Sequence, residues 1–378
     1  MKISQNLRLL PRMIGYKLAY HNLINPPAPI NFTFSVTNMC QSRCKTCNIW
    51  QLYQKNPKLK EKEMTIEEIE KMFKTFGATH FFNISGGEPF LRQDLPEIIE
   101  LACKYLKPKI IHTPTNAIAP ELIEKQTRKI MEIINKCNPK IIFTIKPSFD
   151  GIGSQHDKIR GIKGNFAKVL DTLKRLRKLK EEYPNLEIGL GTVISRYNHK
   201  DIEKIAGYAK SLNPDSYINE IAEHRSELFN ENDPITPNPE DYEKVIQKFE
   251  KIVREDLKTK PKLTRLTQAF RLEYYKLALE IMKQKKQVIP CYAGIASVHI
   301  NPYGDVWPCC IIGYKKPMGN LRDFSYDFKK LWRSDQARKI RNSIKNKSCY
   351  CPLANIAYTN ILMNPKRMVK VIKNILKN

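Results

Sequence analysis

Between about residues 30 and 215, short apolar runs alternate with stretches in which apolar residues recur every three or four positions. The runs Ile30–Val36, His80–Ile84, Lys109–Thr113, Lys140–Ile145, Glu187–Ile194 and Ser216–Ile221 predict strands. Helices are predicted from Ile66 (Ile69, Met72 and Phe73 on one face), over Leu95–Tyr105, Pro120–Cys137, Phe166–Glu182 and Ile202–Ser211. Thr65 and Glu68 form a capping box before the first of them. This is an α/β alternation of about six units, which implies buried parallel strands joined by right-handed crossovers. A closed eight-unit barrel takes about 250 residues, more than this region offers. An incomplete TIM-like barrel of (β/α)6 type or an open doubly wound sheet satisfies the pattern.

Beyond it, residues 224–240 carry Pro234, Pro237 and Pro239 and predict a loop. Asp241–Lys286 predicts a charged helical connector, and Pro290 opens a Cys-rich segment with little helical period until Tyr326–Ile344. After Pro365, the residues Met368, Val371, Ile372, Ile375 and Leu376 share one helical face opposite Lys and Asn. Such a helix packs on its own domain or lies on a membrane surface. A weaker stripe near the N-terminus (Leu7, Leu10, Ile14, Leu18) is interrupted by Pro11.

Of the 378 residues, 42% are hydrophobic, enough for one large and one smaller folded unit. No run approaches the roughly 18 apolar residues that span a bilayer. Residues 1–20 lack the features of a signal peptide, so a cytoplasmic protein is expected. The net charge is +27, with cations concentrated at both ends and no acidic residue after Asp335. Two basic ends suit a polyanionic neighbour, with an anionic membrane surface and peripheral attachment as one form of it, or they serve only as a solubilising face. Nucleic acid is disfavoured because no aromatic-rich RNA platform is evident.

Ten cysteines in a cytosolic chain argue against a disulfide framework, and their clustering argues for metal. Cys103 and Cys137 stand alone in helix-like segments and read as small buried hydrophobes. Cys40, Cys44 and Cys47 form a C-x3-C-x2-C loop directly after a predicted strand. A structural zinc site needs four N or S ligands, and no fourth Cys or His lies nearby in sequence. A cubane with three cysteines leaves one iron open, as chelation of S-adenosylmethionine (SAM) would require. The loop resembles the radical SAM superfamily motif at every ligand position. That resemblance implies reductive cleavage of SAM to methionine and a 5′-deoxyadenosyl radical that abstracts hydrogen.

Further motifs follow in the order of that superfamily. Ser85-Gly86-Gly87-Glu88-Pro89 ends the second strand; its glycines admit close backbone approach, and it resembles the motif that holds the SAM amino group. Thr115-Asn116 resembles the superfamily's Thr-Asn turn, with Ala117 in place of the usual Gly. Ser148-Phe-Asp150-Gly151 and His156-Asp157-Lys-Ile-Arg160-Gly161 are similar to a signature of peptide-modifying members. The resemblance implies Ser148 and Asp150 near SAM and Arg160 paired with its carboxylate. Thr192 and Asn198, at the end of the fifth strand, are weaker candidates for the same pocket.

In the second cluster, Asn301-Pro-Tyr-Gly304-Asp305 predicts a hairpin turn that sets Cys291 beside Cys309, with Cys349 and Cys351 forty residues on. Four thiolates fit a fully ligated [4Fe–4S] cluster or an all-cysteine zinc site. Tyr303–Cys309 and Gly319-Asn320-Leu321 resemble the SPASM or twitch auxiliary-cluster domain, which favours a second [4Fe–4S] cluster. The single residue between Cys349 and Cys351 departs from the family's usual two, and Cys310 is spare or an alternative ligand. The expected organisation is a basic extension (1–28), a radical SAM core forming the partial barrel (29–222), a helical connector (223–288), a smaller Cys-rich auxiliary domain (289–361) and a basic amphipathic tail (362–378). The expected partners are an external one-electron reductant and an unidentified substrate. The substrate is a peptide or protein on the motifs, or a membrane-associated lipid on the basic tail. A non-catalytic iron–sulfur carrier or regulator would keep the cysteines without a SAM pocket.

Overall fold

The six predicted strands form: β1 (Asn31–Thr37), β2 (Phe81–Gly86), β3 (Ile110–Thr115), β4 (Ile142–Pro147), β5 (Leu186–Ile194) and β6 (Ser216–Ile221). The structure is a computed structural model that describes residues 10–259 and 262–376. The strands pair in parallel in chain order from β1 to β6. Sequential order means that every right-handed crossover steps in the same direction. The helices therefore gather on one face and the sheet curls into a partial barrel, and no point of reversal makes it doubly wound.

Alternation along each strand separates the two faces. On β1, Phe32 and Phe34 are fully buried, and Phe32 stacks on Phe76 of the helix Ile66–Phe76 at 4.2 Å. Asn31, Thr33 and Ser35 take the opposite, lumen face, where Asn83 Nδ2 of β2 donates to Asn31 Oδ1 at 2.6 Å. The predicted capping box is present, with Thr65 Oγ1 and Glu68 each bonded to the other's backbone N–H.

The chain then returns to the same sheet. β7 (Ser297–Ile300) pairs in parallel with β1, and β8 (Asp305–Trp307) and β9 (Gly319–Asn320) continue it antiparallel. The Cys-rich segment is thus built onto the β1 edge of the barrel. At the other edge stand two helices, Pro239–Thr259 and Lys262–Gln284. The pairs Glu243–Lys283 and Phe249–Tyr275 run them antiparallel, and Tyr275 donates to Asn219 of β6 at 2.5 Å.

The tail takes the first of its two expected placements, and other expectations change. The tail forms the helix Pro365–Leu376, and it docks on its own chain: Arg367 is buried against Glu273 (3.5 Å) and Glu280 (2.5 Å), and Val371 is fully buried. Ile372 and Leu376 stay exposed. The N-terminal helix Leu10–Tyr20 packs through Tyr16 and Ala19, so Leu10, Ile14 and Leu18 face outward; Leu7 lies outside the described residues. Cys103 is buried as expected, but Cys137, at the end of its helix, is exposed. Among the described residues no helix is long and apolar enough to cross a membrane.

Candidate active site

The loop after β1 carries Cys40, Cys44 and Cys47, all half-buried. Backbone from two other motifs fixes it. Gly87 and Glu88 N–H donate to Thr37 O and Met39 O, both at 2.8 Å. Arg43 N–H donates to Arg160 O (3.0 Å) and Lys45 N–H to Ile159 O (2.9 Å). These contacts demand glycine. A Cβ on Gly86 would lie 2.1 Å from Thr37 O, and one on Gly161 would lie 2.1 Å from Arg43 O; both residues have positive φ (121° and 71°).

Glu88 is buried. Its carboxylate accepts from Thr115 Oγ1 (3.0 Å), Asn116 N–H (2.6 Å) and Phe90 N–H (3.3 Å). Three of about four acceptor positions are thereby used. Burial raises its pKa to about 7 against those hydrogen bonds. Asn116 in turn donates to Gln41 Oε1 (3.2 Å) and lies 3.8 Å from Cys40 Sγ. Ala117, in the family's glycine position, does adopt left-handed backbone, at φ 57°.

Asp150 and Arg160 meet beside the loop. Asp150 Oδ1 accepts from Val193 N–H (2.8 Å) and Oδ2 from Arg160 Nη1 (3.2 Å). Burial alone would lower the Arg160 pKa; the neighbouring Cys44, Asp150 and Cys40 outweigh it and raise it. Arg160 Nε is buried without a hydrogen-bond partner among the described residues. A relay locks this corner. Asp150 N–H donates to His156 Nδ1 (3.2 Å), His156 Nε2 lies 3.1 Å from Asn165 Oδ1, and Asn165 Nδ2 donates to Asn116 O (3.0 Å). Since Nδ1 accepts, His156 is neutral with its proton on Nε2, and burial lowers its pKa accordingly.

At the β7 side, Cys291, Cys309, Cys349 and Cys351 line one cavity together with Ile289, Ile311, Ile344 and Ile356. Burial raises the thiol pKa of Cys291 to about 11 and that of Cys309 to about 12, and pushes Cys351 well up. Cys40 is likewise raised to about 12, by burial and then by Cys44. Metal binding at either place must displace these protons. Cys310 is not part of the cavity wall; its sulfur lies with Glu227 and His299.

Comparison with known proteins decides the family. Residues 34–209 match the model of the radical SAM superfamily, and residues 291–352 match that of the SPASM iron–sulfur cluster-binding domain. The chain is a radical SAM enzyme with a SPASM domain. Its cofactors are therefore SAM, the [4Fe–4S] cluster that binds it and auxiliary iron–sulfur chemistry. The chain is 24% identical over 347 residues to the antilisterial bacteriocin subtilosin biosynthesis protein AlbA of Bacillus subtilis, covering 87% of this chain and 66% of that protein. It is 25% identical over 282 residues to the AdoMet-dependent heme synthase of Methanosarcina barkeri, covering 71% and 73% of the two chains. Among solved structures, anSMEcpe with bound AdoMet aligns with a TM-score of 0.57 at 17% identity (92% and 93% covered). SuiB of Streptococcus suis bound to precursor peptide SuiA aligns at 0.58 with 15% identity (97% and 79% covered).

Within this radical SAM fold, the sequence motifs converge unevenly. Ser148 sits at the end of β4, its N–H bonded to Thr115 O at 2.9 Å, beside the Asp150 corner. Thr192 holds the Phe149 carbonyl (2.5 Å) and Tyr217 OH (2.9 Å), while its neighbour Gly191 faces Lys146 across the lumen side. Asn198 donates to Asp150 O at 2.9 Å. Sequence reasoning missed Glu63. Its Oε1 accepts from Thr37 Oγ1 (2.6 Å), Asn38 N–H (3.0 Å) and Tyr53 OH (2.5 Å), and its Oε2 lies 3.7 Å from Arg92. Asn38 also donates to Tyr303 of the SPASM hairpin at 3.1 Å. One carboxylate thus ties the root of the cysteine loop to its surroundings, and no local spacing announces it.

Proposed function

We propose that this chain modifies a peptide or protein by radical chemistry. Cys40, Cys44 and Cys47 hold three irons of a [4Fe–4S] cluster whose fourth iron takes SAM, and Cys291, Cys309, Cys349 and Cys351 hold one auxiliary [4Fe–4S] cluster. The residues fit these groups. Arg160 Nε is an unpartnered buried donor for the SAM carboxylate. Glu88 retains an acceptor position for the SAM ammonium. The four-cysteine cavity has a full ligand set for a closed cluster. When bound, cluster and SAM supply a 5′-deoxyadenosyl radical that removes hydrogen from the substrate, on one electron from an external reductant.

The chain's own part is positioning. Gly86 and Gly87 let the β2 end lie against the loop, and Asn116 braces Gln41 beside Cys40. Asp150 holds Arg160 in place, with the His156 relay behind it. Ser148 stands at the same strand end, and Thr192 acts through the Phe149 carbonyl on the Ser148–Asp150 turn.

The substrate assignment rests on the Ser148–Gly151 and His156–Gly161 motifs, which resemble a signature of peptide-modifying members and meet at the Asp150–Arg160 pair. AlbA, named for bacteriocin biosynthesis, and SuiB, solved with a precursor peptide, support the same class. The test is anaerobic reconstitution with SAM and dithionite, followed by 5′-deoxyadenosine. Formation without substrate is expected, with stimulation by members of a synthetic peptide library. Stimulation by extracted lipid vesicles and not by peptides overturns the peptide assignment.

A peripheral membrane contact is a second reading, and it moves from the tail to the N-terminal helix. Leu10, Ile14 and Leu18 are exposed in one stripe, with Leu23 and Ile24 exposed beyond them, and Lys345 lies over Tyr20 at its end. Flotation with anionic vesicles tests it: binding lost on changing Leu10, Ile14 and Leu18 to Ser supports the contact, and binding unchanged removes it.

A further inference from the structure

A second group of metal-binding side chains lies between the two cysteine sites. His299 on β7, Glu227 in the turn after β6 and Cys310 after β8 each bring one ligand atom, and all lie within 4.8 Å of one another. All three side chains are at least nine-tenths buried. His299 Nε2 and Glu227 Oε1 are 3.2 Å apart. Two ligands bonded to one ion at about 2.0 Å in tetrahedral geometry stand at about that separation. Ser35 Oγ, on the lumen face of β1, donates to Glu227 Oε1 at 2.8 Å and lies 2.7 Å from His299 Nε2.

Glu223, four residues before Glu227, is also buried, and its Oε1 has no hydrogen-bond partner among the described residues. An unsatisfied buried acceptor beside the trio is the kind of group that a bound ion or its water would partner.

We propose that Glu227, His299 and Cys310 bind a single zinc ion, distinct from both iron–sulfur clusters. Mixed N, O and S donors suit zinc over magnesium or calcium. Three protein ligands leave a fourth position open, as in catalytic zinc sites. Ser35 Oγ, 2.8 Å from Glu227 Oε1 and 2.7 Å from His299 Nε2, is the group nearest that position. The site goes beyond the radical SAM reading and stands without it.

The test uses full-length protein reconstituted anaerobically with iron and sulfide, supplied with one equivalent of zinc, and passed over a chelating resin. Metals are counted and the zinc X-ray absorption edge is recorded. One zinc per chain is expected beside about eight irons, with one sulfur and otherwise N or O neighbours. His299→Gln and Cys310→Ser should each lose the zinc and keep the iron. Full iron with no retained zinc overturns the proposal. So does zinc with four sulfur neighbours, which places it in the auxiliary cavity, or zinc kept by both variants. Loss of iron in Cys310→Ser also overturns it, by making Cys310 a cluster ligand. The iron count and 5′-deoxyadenosine formation report separately on the radical SAM reading.

Discussion

The two cysteine sites solve different problems. The N-terminal one takes three thiols from a single eight-residue loop, Cys40–Cys47, half-buried among polar groups and held by backbone from two other segments. The C-terminal one draws four cysteines from segments up to sixty residues apart (Cys291 to Cys351) and closes them with isoleucines. A cluster with an open iron must admit a charged ligand, so its loop cannot be stabilised by apolar burial. Rigidity comes instead from carbonyls, glycines and a buried Asp150–Arg160 pair. A closed cluster needs no ligand access, and hydrophobic walls suffice.

Predictions can break this contrast. The largest effect is expected from Gly161→Ala or Gly86→Ala, whose Cβ atoms would meet carbonyl oxygens at 2.1 Å. Each should abolish 5′-deoxyadenosine formation, by on the order of a hundredfold or more, and halve the iron while leaving the C-terminal centre loaded. Iron analysis and electron paramagnetic resonance check this. Cys351→Ala is the mirror experiment: the C-terminal iron should go, with SAM cleavage without substrate kept within a few-fold.

Arg160→Lys sharpens the account of the open site. An ammonium cannot hold Asp150 and a carboxylate in the guanidinium's fork, so SAM affinity should fall by about tenfold, or about 1.4 kcal/mol, as isothermal calorimetry would show. The smallest effect is the pH dependence at Glu88. Burial raises its pKa to about 7, above its unfolded value, so its contribution to stability is full in acid and fades as pH rises through 7. Binding of the SAM ammonium favours the ionised form, so affinity should rise over the same window. Glu88→Gln should flatten that rise and weaken binding at pH 8.

Much of this contrast is legible in the chain. The strands are, because buried parallel strands are short apolar runs that few helices mimic. The cysteine loop and the glycine pairs are, because close approach and metal ligation restrict residue choice locally. Glu63 is not, since its partners Thr37, Asn38, Tyr53 and Arg92 are joined only by folding. The outward turn of Leu10, Ile14 and Leu18 is hidden for the same reason: Tyr16 takes the packed face through its ring and its hydroxyl, which donates to Ala28 O at 2.7 Å. The helix Ala354–Met363 after the last cysteine is apolar on most sides, so it carries little period to read.

The most direct measurement is the paramagnetic resonance of dithionite-reduced Cys351→Ala protein, which carries only the N-terminal cluster, recorded with and without SAM isotopically labelled in its amino and carboxylate groups. Hyperfine coupling from the label to the cluster is the predicted result. A fully formed cluster whose signal shows no coupling and does not change when SAM is added would contradict an iron held open for it.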